Sequence, residues 1–516
     1  LVGVFAVWLS STLLAQLVDN TKAPNAANGG INRALVIGAY PTEVGDGRLG
    51  SDPNTSLNVI RFDPFRAIRR GRQLFQRKFS RIEQGPLTGD GFGDIENDLS
   101  VGAGLADSCA GCHGRPRGSA GFGGDVATRP DSRDAPHLFG LGLKEMLADE
   151  ITTDLRSIRS RAISDARRFG FPQTRTLVSK GINYGTIRAF SNGSVDTSNV
   201  DGVNADLRVR PFFLHGETIS IREFAIGAFK AEMGINAAGD PDLVAAQTSR
   251  VVTPSGMVLD GRVDTIERAP ADEQGDIGTV NQRTAMIDFM EFYLLHYFKA
   301  GTGEQTFDVN AGRQTFRDIG CASCHIQDLR INRDRRVADV ETVFNTANGN
   351  PFNRIFATAT AQLANPESIG QAAVAKVPAF GSFLVRNIFT DFKRHDLGPN
   401  FHERNYDGTV RTEFLTTPLW GVGTTAPFGH DGRSINLTEV ILRHGGEAQT
   451  ARNRFAALSS SDRRRVIEFL NSLILFAPDD TASNLDPRNP AAPGYPQFGH
   501  GSIRLTGLFN DPSIVE

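Results

Sequence analysis

Excess charge of one sign is missing from this 516-residue chain, in which 55 Lys and Arg face 58 Asp and Glu for a formal net charge of -3. That balance gives no reason to expect a nucleic-acid partner. Long apolar runs are also lacking beyond the first 18 residues, LVGVFAVWLSSTLLAQLV, and even this run falls short of the roughly 20 residues of a helical membrane span. It lacks the basic residues that open a signal peptide. Two readings remain for 1–18: the hydrophobic part of an export signal whose start is missing, or a short anchor that tethers the protein to a membrane. No fibrous period organises the 54 glycines and 25 prolines, so they mark long connections. Tryptophan is reduced to two residues and cysteine to four.

Those four cysteines fall into two copies of one pattern, Cys109-Ala110-Gly111-Cys112-His113 and Cys321-Ala322-Ser323-Cys324-His325. In such a pentad both thiols form thioethers to one porphyrin, and the adjacent histidine becomes the proximal iron ligand. A redox dithiol does not need that histidine. The 208 residues between Cys112 and Cys321 are not the spacing of a zinc ribbon. The pattern therefore predicts two covalent haem c groups, with His113 and His325 on the irons. Maturation of such haems places the protein outside the cytoplasm, in the periplasm or otherwise exported.

A repeat organises the chain around the pentads. Gly71-Arg72-Gln73-Leu74-Phe75 precedes the first and Gly312-Arg313-Gln314-Thr315-Phe316 the second; downstream, PFFLHGETISIRE (211–223) matches PFGHDGRSINLTE (427–439) without gaps. The haem histidine lies 103 residues before Gly216 in the first copy and 107 before Gly432 in the second. The first copy carries an insertion, QRKFSRIEQGPLTGDGFGDIENDLSVGAGLADS, ahead of Cys109. These matches set haem domains at 67–300 and 301–482, with a polar arm at 19–66 and a proline-rich tail at 483–516. Helical spacing appears at Met286, Phe289, Met290, Tyr293 and Tyr297, and again at Val466, Phe469, Leu470 and Leu473 after Ser and Asp caps. Few stretches alternate with period two. The expected fold is mainly α with long loops and little sheet, two cytochrome c-like haem domains produced by internal duplication.

GCASCH (320–325), DFKRHDLGPNF (391–401), TEFLTTPLWGV (412–422) and APFGHDGRSINLTEVILRHGGEA (426–448) resemble the bacterial di-haem oxidoreductases described as putative peroxidases. Those are relatives of the di-haem cytochrome c peroxidases and MauG-type enzymes. HLFGLGLKEMLADEI (137–151) and VDGVNADLRVRPFFLHG (200–216) extend the resemblance over about 67–482. It implies that a small redox protein, a cytochrome c or cupredoxin-like donor, supplies electrons at the second haem, and that hydrogen peroxide is reduced at the first. It also implies a calcium ion between the domains, although no acidic loop here has a calcium-specific spacing.

Carried over residue by residue, the resemblance puts His444, fourteen residues beyond His430, where the relatives have a methionine ligand. The second haem would then hold His325 and His444, with His430 beside the haem edge or a propionate and a potential below that of a His/Met site. His444 could instead only cap a helix before Gly445-Gly446. Glu232, in Ala231-Glu232-Met233-Gly234, falls at the catalytic glutamate of the first haem, a general acid–base for peroxide cleavage; the alternative is a surface residue of an amphipathic helix. The glutamine that accompanies that glutamate falls at Phe224, and the tryptophan between the haems at Leu214. Trp420 is then a candidate electron relay or an ordinary core residue. His137 and His215 are candidate sixth ligands of the first haem. Two other functions stay open: a pure electron-transfer cytochrome with both irons six-coordinate, and a dioxygen-using oxygenase resembling rubber-cleaving di-haem enzymes.

Overall fold

Residues 173–200 hold short apolar alternations, Ile182 with Tyr184 and Ile187 with Ala189, amid polar stretches. In the computed structural model these residues form a three-stranded antiparallel sheet of Gln173–Ser179, Ile182–Ala189 and Val195–Val200. Leu177, Ile182, Tyr184, Ile187 and Ala189 are buried on one face. Lys180 and Gly181 both take positive φ, 51° and 80°, the two-residue loop whose twist suits a hairpin. The structure describes residues 71, 74–75, 108–114, 120–121, 123, 125–126, 133–233, 248–252, 258–262, 289–295, 301–333, 382–405 and 407–475. The N-terminal run, the arm 19–66, the insertion up to residue 107, Met286, Tyr297, Gly234 and the tail 483–516 lie outside them.

The expectation of a mainly α fold with little sheet is overturned. Fifteen strands occur among the described residues, in the three-stranded sheet and six two-stranded pairs, so the architecture is mixed α/β. Most of these strands are two or three residues long, too short for a period of two to emerge from the sequence. They pair between segments well separated in sequence: Leu329–Ile331 with Phe383–Val385, and Arg394–Asp396 with Glu413–Leu415.

The longest helix, Leu141–Phe169, buries Leu143, Met146, Leu147, Ile151 and Leu155 in the larger core, and Ala162 and Ala166 nearer its end. It stops where Gly170 takes φ 75° and returns its N–H to the Ala166 carbonyl, an αL cap.

The two copies of the repeat adopt matching local geometry. Phe212 bridges Thr218 in the first block and Phe428 bridges Ser434 in the second. Gly216 N–H donates to Phe213 O and Gly432 N–H to Gly429 O, each at 3.2 Å. Ser220 Oγ accepts from Glu223 N at 3.1 Å while Glu223 accepts from Ile219 N at 2.9 Å. Asn436 and Glu439 repeat this reciprocal cap at 2.9 and 3.1 Å. Upstream, Phe75 lies 6.4 Å from the His113 ring and 6.0 Å from Tyr293. Phe316 lies 6.0 Å from His325 and 5.4 Å from Phe469.

Glycine permits both helix contacts. A Cβ on Gly71 would stand 2.1 Å from Phe289 O, and one on Gly312 would stand 1.9 Å from Arg465 O in the helix Ser460–Asn471. Neither obstacle is a side chain that can swing away. In an unobstructed helix, Gly→Ala stabilises by roughly 1 kcal/mol. Gly312→Ala should instead destabilise by about 1–3 kcal/mol in denaturant unfolding, because the helices must separate.

Candidate functional site

Each pentad lies beside a backbone carbonyl that holds its histidine. Cys109–His113 forms a single helical turn capped by Ser108, whose hydroxyl accepts from Gly111 N at 3.1 Å. His113 Nδ1 donates to Pro136 O at 2.8 Å and His325 Nδ1 to Phe389 O at 3.0 Å. With Nδ1 committed, Nε2 is the nitrogen each imidazole can offer a metal. Burial holds both histidines below their ordinary pKa, in the neutral form that ligates. None of the four cysteines is in a disulfide. Burial pushes Cys109 and Cys321 up to about 12, so these are not the activated thiolates of a redox dithiol.

His444 ends the helix Leu437–Arg443 as its C-cap. Its Nδ1 donates to Val440 O at 2.7 Å, which again leaves Nε2 to serve as a ligand. Burial, with a further contribution from His325, lowers His444 to about 4. Phe401 packs edge-on to His444 at 5.1 Å and lies 6.1 Å from His430. His430 stacks on Phe414 at 4.1 Å, its Nε2 is 3.8 Å from Glu403 Oε2, and its carbonyl accepts from Asp134 N at 3.1 Å.

Around the first pentad, the helix Ile221–Met233 carries Glu232, which is half-buried. Burial raises the Cys112 thiol, and the charge of Glu232 raises it further. Phe213 lies 5.2 Å and Phe212 6.0 Å from Phe224, an aromatic group at the start of the same helix. His215 is buried and paired through Nε2 with Glu217. His137 donates from Nε2 to Trp420 O at 2.8 Å and accepts at Nδ1 from Phe139 N at 3.3 Å, and burial lowers it to about 4. Both of its ring nitrogens are therefore engaged. Trp420 is buried, and its indole lies so close over Gly140 that a Cβ there would meet it at 2.8 Å.

Residues 367–473 match the family described as "Di-haem oxidoreductase, putative peroxidase". The match spans His395, Trp420, His430 and His444, whereas both pentads lie outside it. No curated protein matches. Among solved structures, Kuenenia stuttgartiensis hydrazine synthase pressurized with xenon aligns at 12% identity over 79% of this chain and 87% of that chain. Its TM-score of 0.31 is too low to bear on fold or function.

One cluster within the matched segment escaped the sequence reading. His395 is buried between two carboxylates, Nε2 to Asp391 Oδ2 at 2.9 Å and Nδ1 to Glu447 Oε2 at 2.7 Å. One ligand-type atom from each of Cys324, Asp391 and His395 lies within 4.8 Å of the others. The available signal was the i,i+4 spacing of Asp391 and His395 in DFKRHDLGPNF; Glu447, 52 residues on, left none. Burial disfavours charge on His395, but hydrogen bonds to Asp391 and then Cys324 outweigh it and raise the imidazole to about 11. A thioether at Cys324 would remove the sulfur's share and leave that of Asp391.

The folded-state value lies above the ordinary one of about 6.5. The imidazolium therefore contributes stability that is complete below about pH 6.5 and is lost as pH rises towards 11. His395→Gln should lower stability by about 1.5–3 kcal/mol at pH 6, with the gap to the unaltered protein closing by pH 10.5. Denaturant midpoints at both pH values measure it, and a gap of constant size would contradict the charged assignment.

Proposed function

We propose that this chain is an exported di-haem c-type oxidoreductase. Electrons from a small redox protein enter at the haem of Cys321, Cys324 and His325, and hydrogen peroxide is reduced at the haem of Cys109, Cys112 and His113. The observation that carries this reading is the pair of pentads, each with two thiols outside any disulfide and a neutral histidine whose Nδ1 is committed to a carbonyl. The donor set fits covalent haem c at both places. Two haem-binding units, about 67–300 and 301–482, are supported by the matching turns, caps and helix contacts.

When bound, each haem would supply an iron that exchanges electrons and, where a coordination position is open, receives the substrate. His325 and His444 would hold the second. The first has only His113 committed to this role, since His137 holds Trp420 and His215 pairs with Glu217. Glu232 would take a proton from one peroxide oxygen and return it to the departing one. Its half-buried position at the end of the helix Ile221–Met233, together with the Glu-Met-Gly match, supports this role. Trp420, whose carbonyl is held by His137 next to Pro136, would relay the electron between units. Calcium finds no support in the cluster of Cys324, Asp391 and His395, because sulfur and imidazole are not the oxygen ligands it favours. No helix among the described residues is long and apolar enough to cross a membrane.

The aromatic group of Phe212, Phe213 and Phe224 favours a second reading, a dioxygen-using enzyme with an apolar substrate, in which Glu232 has no part in turnover. Intact mass after expression in a host that matures c-type haem should show two added haems, and one or none would end both readings. In the loaded protein, Glu232→Gln should keep both haems yet slow peroxide-driven oxidation of the reduced protein by roughly 10²–10⁴-fold. An unchanged rate and pH profile would remove Glu232 and favour the oxygenase.

A further inference from the structure

The turn from the longest helix into the three-stranded sheet exposes two adjacent aromatics. Phe169 is 52% and Phe171 58% exposed, and their ring centroids stand 6.0 Å apart, so they form one apolar knob. Arg168 lies over the Phe169 ring at 5.4 Å. Arg167 reaches across to the neighbouring turn, where a Cβ on Gly193 would stand 2.5 Å from its Nη2. In that turn Arg188 lies over Phe190 at 5.4 Å. The nearest carboxylates are already engaged: Asp165 pairs with Arg175 at 2.8 Å, and Asp196 accepts from Ser198 and is held below the usual carboxylate range. Neither Arg167 nor Arg168 forms an ion pair among the described residues. The tip is therefore positive on a chain whose formal net charge is -3.

Arginines in a last helical turn complement the helix dipole, and that alone would account for Arg167 and Arg168. It does not account for two phenylalanines more than half in water beside them. The tip is also held in place before it meets anything. Gly170 caps the helix, Pro172 fixes the chain beyond Phe171, and Gln173 enters the sheet.

We propose that this tip is a docking element for an anionic phospholipid surface, the arginines meeting headgroup phosphates and the phenylalanine rings entering the acyl boundary. A few aromatic and cationic residues on a turn suit an interfacial anchor. A stable protein–protein contact takes about 800 Å² from each partner, more than this tip offers. The proposal is independent of the chemistry assigned to the pentads.

The experiment is co-sedimentation of the full haem-loaded chain with vesicles of phosphatidylcholine, alone or in equal parts with phosphatidylglycerol. Binding should need phosphatidylglycerol and weaken with salt. The double variant Phe169→Ser, Phe171→Ser should lose about tenfold in partitioning, and Arg167→Gln, Arg168→Gln should lose the preference for phosphatidylglycerol. These side chains are exposed, so circular dichroism and the unfolding midpoint should not change. Equal partitioning of the phenylalanine variant and the unaltered protein would overturn the proposal. Failure of the unaltered protein to bind phosphatidylglycerol vesicles would also overturn it, and would leave the tip to an acidic protein.

Discussion

Two hydrogen bonds from imidazole to main chain, His113 to Pro136 O and His325 to Phe389 O, fix the candidate site, and one short segment ties them together. Leu419 N donates to Ile388 O, next to the carbonyl that holds His325. Trp420 O accepts from His137, next to the carbonyl that holds His113. The peptide of Leu419 and Trp420 thus spans the supports of both histidines. Because these bonds use backbone atoms, side-chain substitution at 388, 389 or 136 leaves the carbonyls in place. The demanding side-chain position is Gly140, where the Trp420 indole occupies the space of a Cβ and φ is 72°.

The two copies of the repeat share a turn and a cap, then part company at one position. In the second, the helix Leu437–Arg443 ends at His444, and Gly445 and Gly446 turn the chain away. In the first, Ala228 stands where His444 would be and no glycine pair follows, so the helix continues to Met233. That continuation carries Glu232. One divergence thus removes a candidate imidazole ligand and brings in a carboxylate. Duplicated scaffolding accordingly accommodates two different chemical environments.

How much was legible in the sequence follows from how local each signal is. The pentads, the glycine–phenylalanine contacts and the capped blocks are written in adjacent residues; the contacts and caps match between copies, whereas Cys109–His113 is an α-helical turn and Cys321–Ser323 a 3₁₀ turn. The sheet at 173–200 was also written locally, in the short alternations of Ile182 with Tyr184 and Ile187 with Ala189, but the short pairs such as Arg394–Asp396 with Glu413–Leu415 have no period to read. Their existence depends on which loops meet. The same holds for His395: its partner Asp391 is four residues away, whereas Glu447 reaches it only because Gly445 N–H donates to Leu397 O and brings the loop after His444 against the strand. His137 shows the converse. Its spacing from His113 suited a ligand, but the bond to Trp420 depends on chain 283 residues further on.

The imidazoles of this region are driven in opposite directions by two competing causes, burial and hydrogen bonds to acidic groups. Burial lowers His113, His137, His325 and His444, while at His395 the hydrogen bonds to Asp391 and then Cys324 outweigh burial and raise the imidazole. For the proposed second haem these pull against each other. Two imidazole ligands favour the ferric state, whereas a fixed positive charge near Cys324 favours the added electron. Asp391 and Glu447 offset part of that cation, and Glu447 is half-exposed, so solvent screens its share more than that of buried Asp391. The charge around the proposed haem would therefore depend in part on the loop that carries Glu447, which the bond from Gly445 N–H to Leu397 O holds against the strand. His444, the proposed ligand, and Glu447, the partner of His395, lie on the same turn of chain.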